Sequence, residues 1–332
     1  MLPATILTGF LGSGKTTLLN NLLSTSGGEK IAIIENEFGS VGVDTKLLNK
    51  SEDIQIIELS NGCICCSIRG ELTESIKNLL AKIDTNELQI DRLIIETTGL
   101  ADPAPIIQTF FLDDKIKDRI ALDAVITLVD AHHISKQLNE HAVAASQIGF
   151  ADKIILTKSD TVTDEQKSAA LRRIHAINSK ADILEVLNGK LPKEQWINIK
   201  AFELDDSVQL NSGGYKSTAS NMSFTSFSTQ NPTKSWDDSI KSYVFEALEL
   251  DIKKIGSFME ELVEEYGNDM LRYKGVFAIY DEPNPIIVQG VHKIVGFDYS
   301  DKPQDERKSL LVIIGRNLPY EKLLEGFFGA AI

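Results

Sequence analysis

Near its start the chain carries a glycine-rich stretch whose residue types and spacing suit the binding of phosphate. Residues 8–17 read TGFLGSGKTT and fit the pattern G-x-x-x-x-G-K-S/T, with a β-prone run before them and an amphipathic helical run after them. The glycines would let backbone N–H groups face phosphate oxygens, while Lys15 would reach the β- and γ-phosphates and Thr16 would ligate Mg²⁺. A chance glycine turn before a helix would not explain both flanks. The residues predicted to bind nucleotide here are Gly9, Gly12, Ser13, Gly14, Lys15, Thr16 and Thr17.

A second candidate site residue ends a buried strand in the middle of the first half of the chain. The apolar run at 92–96 ends in Glu96 and is followed by Thr-Thr-Gly99. In P-loop proteins an acidic residue in this place helps to hold Mg²⁺, and the backbone N–H of Gly99 could meet the γ-phosphate. The alternative for Glu96 is a charge placed at a helix N-terminus. We predict that Glu96 ligates Mg²⁺, that Lys15 and Glu96 are catalytic, and that Gly99 contacts nucleotide.

The stretch TKSD at 157–160 also follows an apolar strand, and it resembles the N-K-x-D sequence with which GTPases read guanine. Asp160 would accept both N–H donors on the guanine edge, a pair that adenine cannot supply, and the Lys158 stem would pack along the base. Thr157 stands in the usual place of Asn, so an amide is lost while a hydroxyl is kept. The sequence therefore favours GTP and GDP, with Thr157, Lys158 and Asp160 as contacts. A small-molecule kinase is the competing interpretation, and both TKSD and the lack of an evident Arg-rich lid argue against it.

All three cysteines of the chain, Cys63, Cys65 and Cys66, lie within one short segment. An odd and crowded set is a poor disulfide framework, and such thiolates suit Zn²⁺ and related metals. In an extended Cys-x-Cys segment two thiolates point to one face and can share an ion, and Glu35 is the closest fourth ligand by topology. The alternatives are a redox-active cysteine and a set of inert buried cysteines. We predict a metal site formed by Cys63, Cys65, Cys66 and Glu35.

The segment from Glu35 to Asp44 follows a buried strand, at the sheet edge where open α/β folds bind ligands. GTPases keep in this place a switch that γ-phosphate and Mg²⁺ order. Asp44 is predicted to ligate Mg²⁺ together with Thr16 and Glu96, and Glu35, Glu37 and Asp44 are each candidates for positioning the hydrolytic water. Because the cysteines follow the very next strand, we expect the affinity for metal to depend on the bound nucleotide.

Composition and charge limit the classes of partner. The chain has 332 residues, of which 42% are hydrophobic and 25% charged, with a net charge of -14 and a pI near 4.9. This acidity argues against binding to nucleic acid or to anionic membranes, and no apolar run reaches transmembrane length. The lack of a signal-peptide pattern and the clustered cysteines predict a cytoplasmic protein. His132 and His133 are interpreted as an ordinary surface pair, since neighbouring residues do not face the same way.

The elements that must position these residues alternate between strand and helix from residue 4 to about 187. This order predicts an α/β fold with a mostly parallel sheet, right-handed crossovers and helices on both faces. We predict a P-loop GTPase domain over 1–204, a linker over 205–222 and a smaller C-terminal α+β domain over 223–332. Predicted helices cover 71–83, 134–150, 252–266 and 319–328, and predicted C-terminal strands cover 224–228, 242–248, 276–280, 285–291 and 309–314, with 276–280 and 285–291 as a hairpin.

Four motifs, GFLGSGKTT, ENEFG, NGCICC and ETTGLADP, occur in this order and together resemble the CobW-type metallochaperone GTPases. QTFF at 108–111 and SQIGFAD at 146–152 resemble the YjiA-like subgroup, and LRYKG at 271–275 resembles the start of the family's second domain. The resemblance covers nearly the whole chain. There are two departures: Ser40 stands where many relatives carry an acidic residue, and the linker lacks a His-rich tract.

The resemblance implies a P-loop NTPase of the SIMIBI type that hydrolyses GTP, carries a metal on its Cys-x-Cys-Cys segment and passes it to a client metalloprotein. The implied cofactors are GTP or GDP, Mg²⁺ and Zn²⁺, with Co²⁺ or Ni²⁺ as other possible cargo. A metal- or nucleotide-dependent homo-oligomer is compatible with it, and neither nucleic acid nor a membrane is expected as a partner. The competing interpretation is a regulatory or assembly GTPase whose metal is purely structural. A metal affinity that changes with nucleotide would separate the two.

Overall fold

The structure is a computed structural model, and it describes residues 1–25, 27–36, 54–58, 68–187, 190–202, 239–300, 303–304 and 306–332. Several predicted features lie outside these residues, namely Glu37, Ser40, Asp44, Cys63, Cys65, Cys66, the linker over 205–222 and the strand near 224–228. The boundaries at 204 and 222 therefore remain predictions.

The first part of the chain forms one parallel sheet. Its strands are β1 (Leu2–Gly9), β2 (Ile31–Asn36), β3 (Ile54–Glu58), β4 (Arg92–Thr97), β5 (Ile120–Asp130), β6 (Lys153–Thr157) and β7 (Asp182–Val186). They lie in the order β3-β2-β4-β1-β5-β6-β7, and every neighbouring pair is parallel. The helices are α1 (Lys15–Ser24), α2 (Ile68–Asp84), α3 (Ala104–Leu112), α4 (Asp114–Lys117), α5 (Ile134–Glu140), α6 (Ala142–Phe150) and α7 (Asp164–Ile177). The predicted α/β P-loop architecture is confirmed.

Side chains of these strands alternate between two hydrophobic cores, one on each face of the sheet. In β2, Ile31 and Ile33 pack in the core that includes α1, whereas Ala32 and Ile34 pack in the core that includes α2 and α3. A parallel sheet that is covered on both faces needs such continuous apolar strands. The acidic residue at the end of β2, Glu35, is therefore an exception that calls for a functional explanation.

The sequence predicted one helix over 134–150, but the structure has two, α5 and α6. They are separated at His141, whose backbone is extended with φ −139° and ψ 104°. The His141 ring packs against Phe10 of the glycine-rich loop, with ring centroids 4.9 Å apart. The apolar pattern continues through the break, so periodicity alone predicted a single helix.

The last part of the chain forms an antiparallel sheet with two helices on one face. Its elements are β8 (Ile240–Ala247), α8 (Ile252–Tyr266), β9 (Met270–Phe277), β10 (Ile286–Val291), β11 (Ile294–Tyr299), β12 (Ser309–Arg316) and α9 (Tyr320–Gly329). The strands lie in the order β11-β10-β9-β12-β8, and α8 and α9 share a hydrophobic core with them. The predicted α+β unit is confirmed, and the strand predicted over 285–291 does pair with the strand before it. The bounds of that earlier strand were wrong: it was predicted over 276–280 but runs over Met270–Phe277, where Arg272 and Lys274 interrupt the apolar run. The sequence did not predict β11, an edge strand whose side chains are largely exposed.

The other face of this second sheet packs against α6. Ile240, Leu271 and Ile314 belong to the same buried core as the apolar side chains of α6. Gly149 allows the close approach, since a Cβ at that position would lie 2.8 Å from Leu271 Cδ2. Within the described ranges no helix is both long and apolar enough to cross a membrane.

Candidate functional site

The glycine-rich loop joins β1 to α1 and has the conformation that phosphate binding requires. Gly9, Gly12 and Gly14 have φ values of 137°, 72° and 102°, which side-chain-bearing residues rarely adopt. Gly9 also passes so close to β5 that a Cβ there would lie 2.4 Å from Leu128 O. Gly14 is the N-cap of α1, so the helix begins at Lys15 with its free N–H groups at the loop.

Lys15 folds back over this loop. Its Nζ donates hydrogen bonds to Gly9 O at 2.9 Å and to Phe10 O at 3.4 Å. Ser13 Oγ, in the same loop, is buried and has no hydrogen-bond partner in the described part of the chain. A buried hydroxyl without a partner is costly, and a phosphate oxygen would supply one. Thr16 is half-buried at the start of α1, and Thr17 is exposed.

Two buried carboxylates lie side by side next to the loop. Glu96 of β4 is paired in register with Leu7 of β1 on one side and with Glu35 of β2 on the other. Each glutamate is only 5% exposed. Residues in register on neighbouring strands direct their side chains to the same face, about 4.8 Å apart. Two carboxylates buried this closely repel one another, and a bound cation would compensate both charges.

The structure also brings Gly99 to the glycine-rich loop. A Cβ at Gly99 would lie 2.5 Å from Leu11 N, so the two backbones are in direct contact there. Just before it, Thr97 Oγ1 donates to Thr8 Oγ1 at 2.8 Å and ties the ends of β4 and β1 together. The backbone N–H groups around Gly99 therefore lie beside the loop that would hold the phosphates.

The TKSD stretch reaches the same loop from the far side of β5. Thr157 Oγ1 donates to Ser13 O at 2.9 Å and lies 3.3 Å from Val129 O. Lys158 has a φ of 55°, and its Nζ donates to Gly12 O at 2.8 Å. Asp160 follows in a 3₁₀ turn and is exposed to solvent. The hydroxyl that replaces the usual amide at Thr157 thus still joins this stretch to the phosphate-binding loop.

Sequence reasoning missed Asp130, which is buried at the end of β5. Asp130 Oδ2 accepts hydrogen bonds from Lys158 Nζ at 2.7 Å and lies 2.9 Å from His133 Nδ1. Burial by itself would raise the pKa of Asp130, but the hydrogen bonds from Lys158 and His133 outweigh it and lower the pKa below its usual range. Asp130 thus stays ionised and holds Lys158 in place. The rule that singled out Glu35 and Glu96, an acidic residue at the carboxyl end of a strand, could have found it.

The described residues include only part of the predicted metal site. Glu35 is buried beside Glu96, while Cys63, Cys65, Cys66 and Asp44 lie outside the described residues. His133 pairs with Asp130 rather than with a second metal-binding side chain. In the described part of the chain no group of three or more His, Cys, Asp and Glu residues could hold a metal ion.

The chain matches two family descriptions. Residues 3–185 match the description "CobW/HypB/UreG, nucleotide-binding domain", and residues 240–331 match "Cobalamin synthesis protein cobW C-terminal domain". The two ranges correspond to the two sheets, since β7 ends at Val186 and β8 begins at Ile240.

Relatives match over almost the full length. The chain is 41% identical over 331 residues to the zinc chaperone YjiA of Escherichia coli K12, covering 99% of this chain and 98% of that protein. It is 30% identical over 346 residues to the zinc-regulated GTPase metalloprotein activator 1 of Schizosaccharomyces pombe, covering 95% and 82%. The crystal structure of the Zn(II)-bound YjiA GTPase from E. coli matches with a TM-score of 0.79 and 34% identity over 100% of this chain and 99% of that one. A Zn(II)-bound triple mutant of that GTPase, with one glutamate and two cysteines replaced by alanine, matches with the same TM-score of 0.79.

Proposed function

Because the chain belongs to the CobW family, with a CobW/HypB/UreG nucleotide-binding domain followed by the CobW C-terminal domain, we propose that it is a GTPase that binds zinc and delivers it to a client protein. The names of its relatives support this, since one is a zinc chaperone and another a zinc-regulated GTPase metalloprotein activator. Zinc is the cargo in this proposal, and the client is a metalloprotein that receives it.

In the proposal GTP lies along the glycine-rich loop with its phosphates at the N-terminus of α1. Lys15 exchanges its bonds to the loop carbonyls for bonds to phosphate oxygens, where its charge stabilises the transferring phosphoryl group. Ser13 Oγ, which is buried and has no hydrogen-bond partner among the described residues, gains one from a phosphate oxygen. Oxygen ligands suit Mg²⁺, and the proposal gives it Thr16, Glu96 and Asp44. When bound, Mg²⁺ neutralises charge on the β- and γ-phosphates.

Recognition of guanine is assigned to the TKSD stretch. Asp160 is exposed and can accept the two N–H donors of the guanine edge, while Lys158 is fixed by Gly12 O and by Asp130 so that its stem can cover the base. Thr157 maintains the connection to Ser13 of the phosphate-binding loop. These contacts support a preference for GTP and GDP over ATP.

The cargo zinc is assigned to Cys63, Cys65, Cys66 and Glu35. Three thiolates and one carboxylate make a four-coordinate set of the kind that Zn²⁺ prefers. The proposal places the protein in the cytoplasm, where closely spaced cysteines remain reduced and able to bind metal.

The observation that carries the proposal is the register of Glu35 with Glu96. One is the proposed zinc ligand and the other the proposed Mg²⁺ ligand, and they are direct neighbours on β2 and β4. A cation on one glutamate therefore changes the electrostatic potential at the other, and GTP, Mg²⁺ and zinc become linked through this pair. In the proposed cycle the GTP state loads or presents the zinc, and hydrolysis completes its release to the client.

The test is a titration of zinc against a competing chelator, with GDP and then with a non-hydrolysable GTP analogue. We expect the two zinc affinities to differ by about 5–150-fold, the range that a typical coupling free energy of about 1–3 kcal/mol gives. Lys15→Ala should abolish hydrolysis, and Glu35→Gln should remove the difference between the nucleotide states. Glu185→Gln, an exposed glutamate on β7, is the matched control and should behave like the wild type.

The triple mutant of the E. coli relative still carries zinc, so the test needs a signal that comes only from metal bound to thiolates. Co²⁺ should give a sulfur-to-metal charge-transfer band that a Cys65→Ala, Cys66→Ala double mutant lacks. Equal zinc affinities in both nucleotide states would end the chaperone proposal and leave a GTPase with a structural metal. Retention of the cobalt band in the double mutant would place the metal elsewhere.

A further inference from the structure

The side chain of Gln147 on α6 reaches the loop that carries Gly99. It is 1% exposed, and its Nε2 donates to Gly99 O at 3.2 Å and to Ala101 O at 3.1 Å. Both neighbours are carbonyl oxygens, which only accept hydrogen bonds, so the amide nitrogen must face them. One side chain thus uses both of its N–H donors to fix two carbonyl groups of the same turn.

This turn touches the phosphate-binding loop. Gly99 lies against the backbone of Leu11, and Ala101 N–H closes the turn on Thr98 O at 3.1 Å. The bonds from Gln147 fix the carbonyls of Gly99 and Ala101 and therefore limit how far the turn can rotate. The N–H groups of the turn are then already oriented before nucleotide arrives.

Gln147 is itself attached to a rigid base. Its backbone oxygen accepts a hydrogen bond from Thr127 Oγ1 of β5 at 2.8 Å. At the end of α6, Asn178 Nδ2 donates to Ile148 O and to Ala151 O, both at 2.9 Å. The outer side of α6 is packed against the second sheet, with Gly149 in contact with Leu271. The helix is held on both sides, so it can act as a fixed support for the turn.

We propose that Gln147 is a positioning residue that holds the Gly99–Ala101 turn in the conformation that meets the γ-phosphate. The inference rests on the proposed binding of GTP at the glycine-rich loop. GDP has no γ-phosphate and does not need the turn, whereas GTP must order it if Gln147 does not. Loss of Gln147 therefore weakens the binding of GTP and leaves the binding of GDP unchanged.

The experiment measures the affinities of the full chain for fluorescent GDP and for a fluorescent non-hydrolysable GTP analogue, with Mg²⁺. Gln147→Met keeps the size of the side chain and removes the donor. We expect the ratio of GTP-analogue to GDP affinity to fall at least about tenfold, since the variant loses two hydrogen bonds to the turn and each contributes about two- to tenfold. Thr127→Val is the matched control: it removes a buried hydrogen bond to the same residue but not the contact with the turn. It should lower thermal stability and leave the ratio as in the wild type.

If Gln147→Met does not fold, Gln147→Glu replaces it. The ratio of GTP-analogue to GDP affinity of this variant is then measured from pH 8 down to pH 5 and divided by the wild-type ratio at each pH. Protonation of the introduced carboxyl restores one donor, so the lowered ratio should recover in part as the pH falls. The inference would be overturned if the affinity ratio were unchanged in Gln147→Met and Gln147→Glu, or if the affinities for GDP and for the GTP analogue fell equally. Failure of the wild type to bind either nucleotide would instead reject the proposed function.

Discussion

Arg272 of β9 provides the sharpest test of how the two sheets are held together. Its Nη1 donates to Phe150 O at 3.1 Å and to Asp152 Oδ2 at 2.9 Å, and its Nη2 pairs with Asp152 Oδ1. The Arg272 and Asp152 side chains are only 6% and 5% exposed. The guanidinium carbon also lies 4.2 Å from the centre of the Phe202 ring. One buried ion pair therefore joins the second sheet to the loop between α6 and β6.

The perturbation is Arg272→Leu, which keeps an apolar side chain and removes the charge. Breaking a buried pair by removing one partner costs about 3–5 kcal/mol, because the other charge stays buried. Asp152 keeps two contacts, Lys274 Nζ at 3.3 Å and Val125 N at 2.9 Å, so the loss lies at the lower end of this range. Removing the cation from the Phe202 ring adds about 0.5–1 kcal/mol. The expected total is about 3–4 kcal/mol of unfolding free energy.

The assay is urea unfolding of the full chain, followed by circular dichroism. Arg316→Leu is the matched control, since Arg316 lies on the neighbouring strand β12 and is half-buried, and its guanidinium makes one long hydrogen bond within the described ranges, at 3.4 Å to Ser146 Oγ. It should cost less than about 1 kcal/mol. In Arg272→Leu the second sheet should also unfold in a separate, earlier transition, because its attachment to α6 is weakened. An equal loss of unfolding free energy in the two arginine variants, with both sheets unfolding in a single transition, would refute the role given to this ion pair.

Two further predictions follow from the same contacts. Gly99→Ala should destabilise the fold by about 1–3 kcal/mol, since the new Cβ would lie 2.5 Å from Leu11 N. Gly256→Ala, with open space around it on α8, should stabilise the fold by about 0.5–1 kcal/mol. Thermal unfolding of both variants measures the contrast, and a change of stability in the same direction for both would contradict it. Burial, together with the neighbouring Arg272, lowers the pKa of Lys274 from 10.5 to about 8. Between these two values the unfolded chain binds a proton that the folded chain does not, so stability should rise as the pH increases through this window, by at most about 1.4 kcal/mol per pH unit. Because the Lys274 side chain is 31% exposed, solvent reduces the slope, and a Lys274→Met variant with the same pH dependence as the wild type would exclude this contribution.

Local patterns in the sequence determined much of this molecule. The glycine-rich loop is recognisable because its three glycines, its lysine and its flanking strand and helix are consecutive, and the structure gives those glycines the positive φ values expected of them. The predicted helix at 252–266 agrees with α8, whose apolar residues recur at helical spacing. The family was identified from four short motifs in order, and both family descriptions match. The proposed cysteine ligands remain a prediction from sequence alone.

Only the tertiary structure decided which distant residues meet. Asp130 and Lys158 are 28 positions apart and Gln147 and Gly99 are 48 apart, and their pairing depends on the order of the strands and on where α6 packs. The register that places Glu35 beside Glu96 likewise comes from β2 lying next to β4 rather than next to β1. The break at His141 and the exposed edge strand β11 were also not evident in the pattern. A pattern along the chain reports burial and turns within a few residues, whereas a site is made by side chains that strand order and packing bring together from far apart in the sequence.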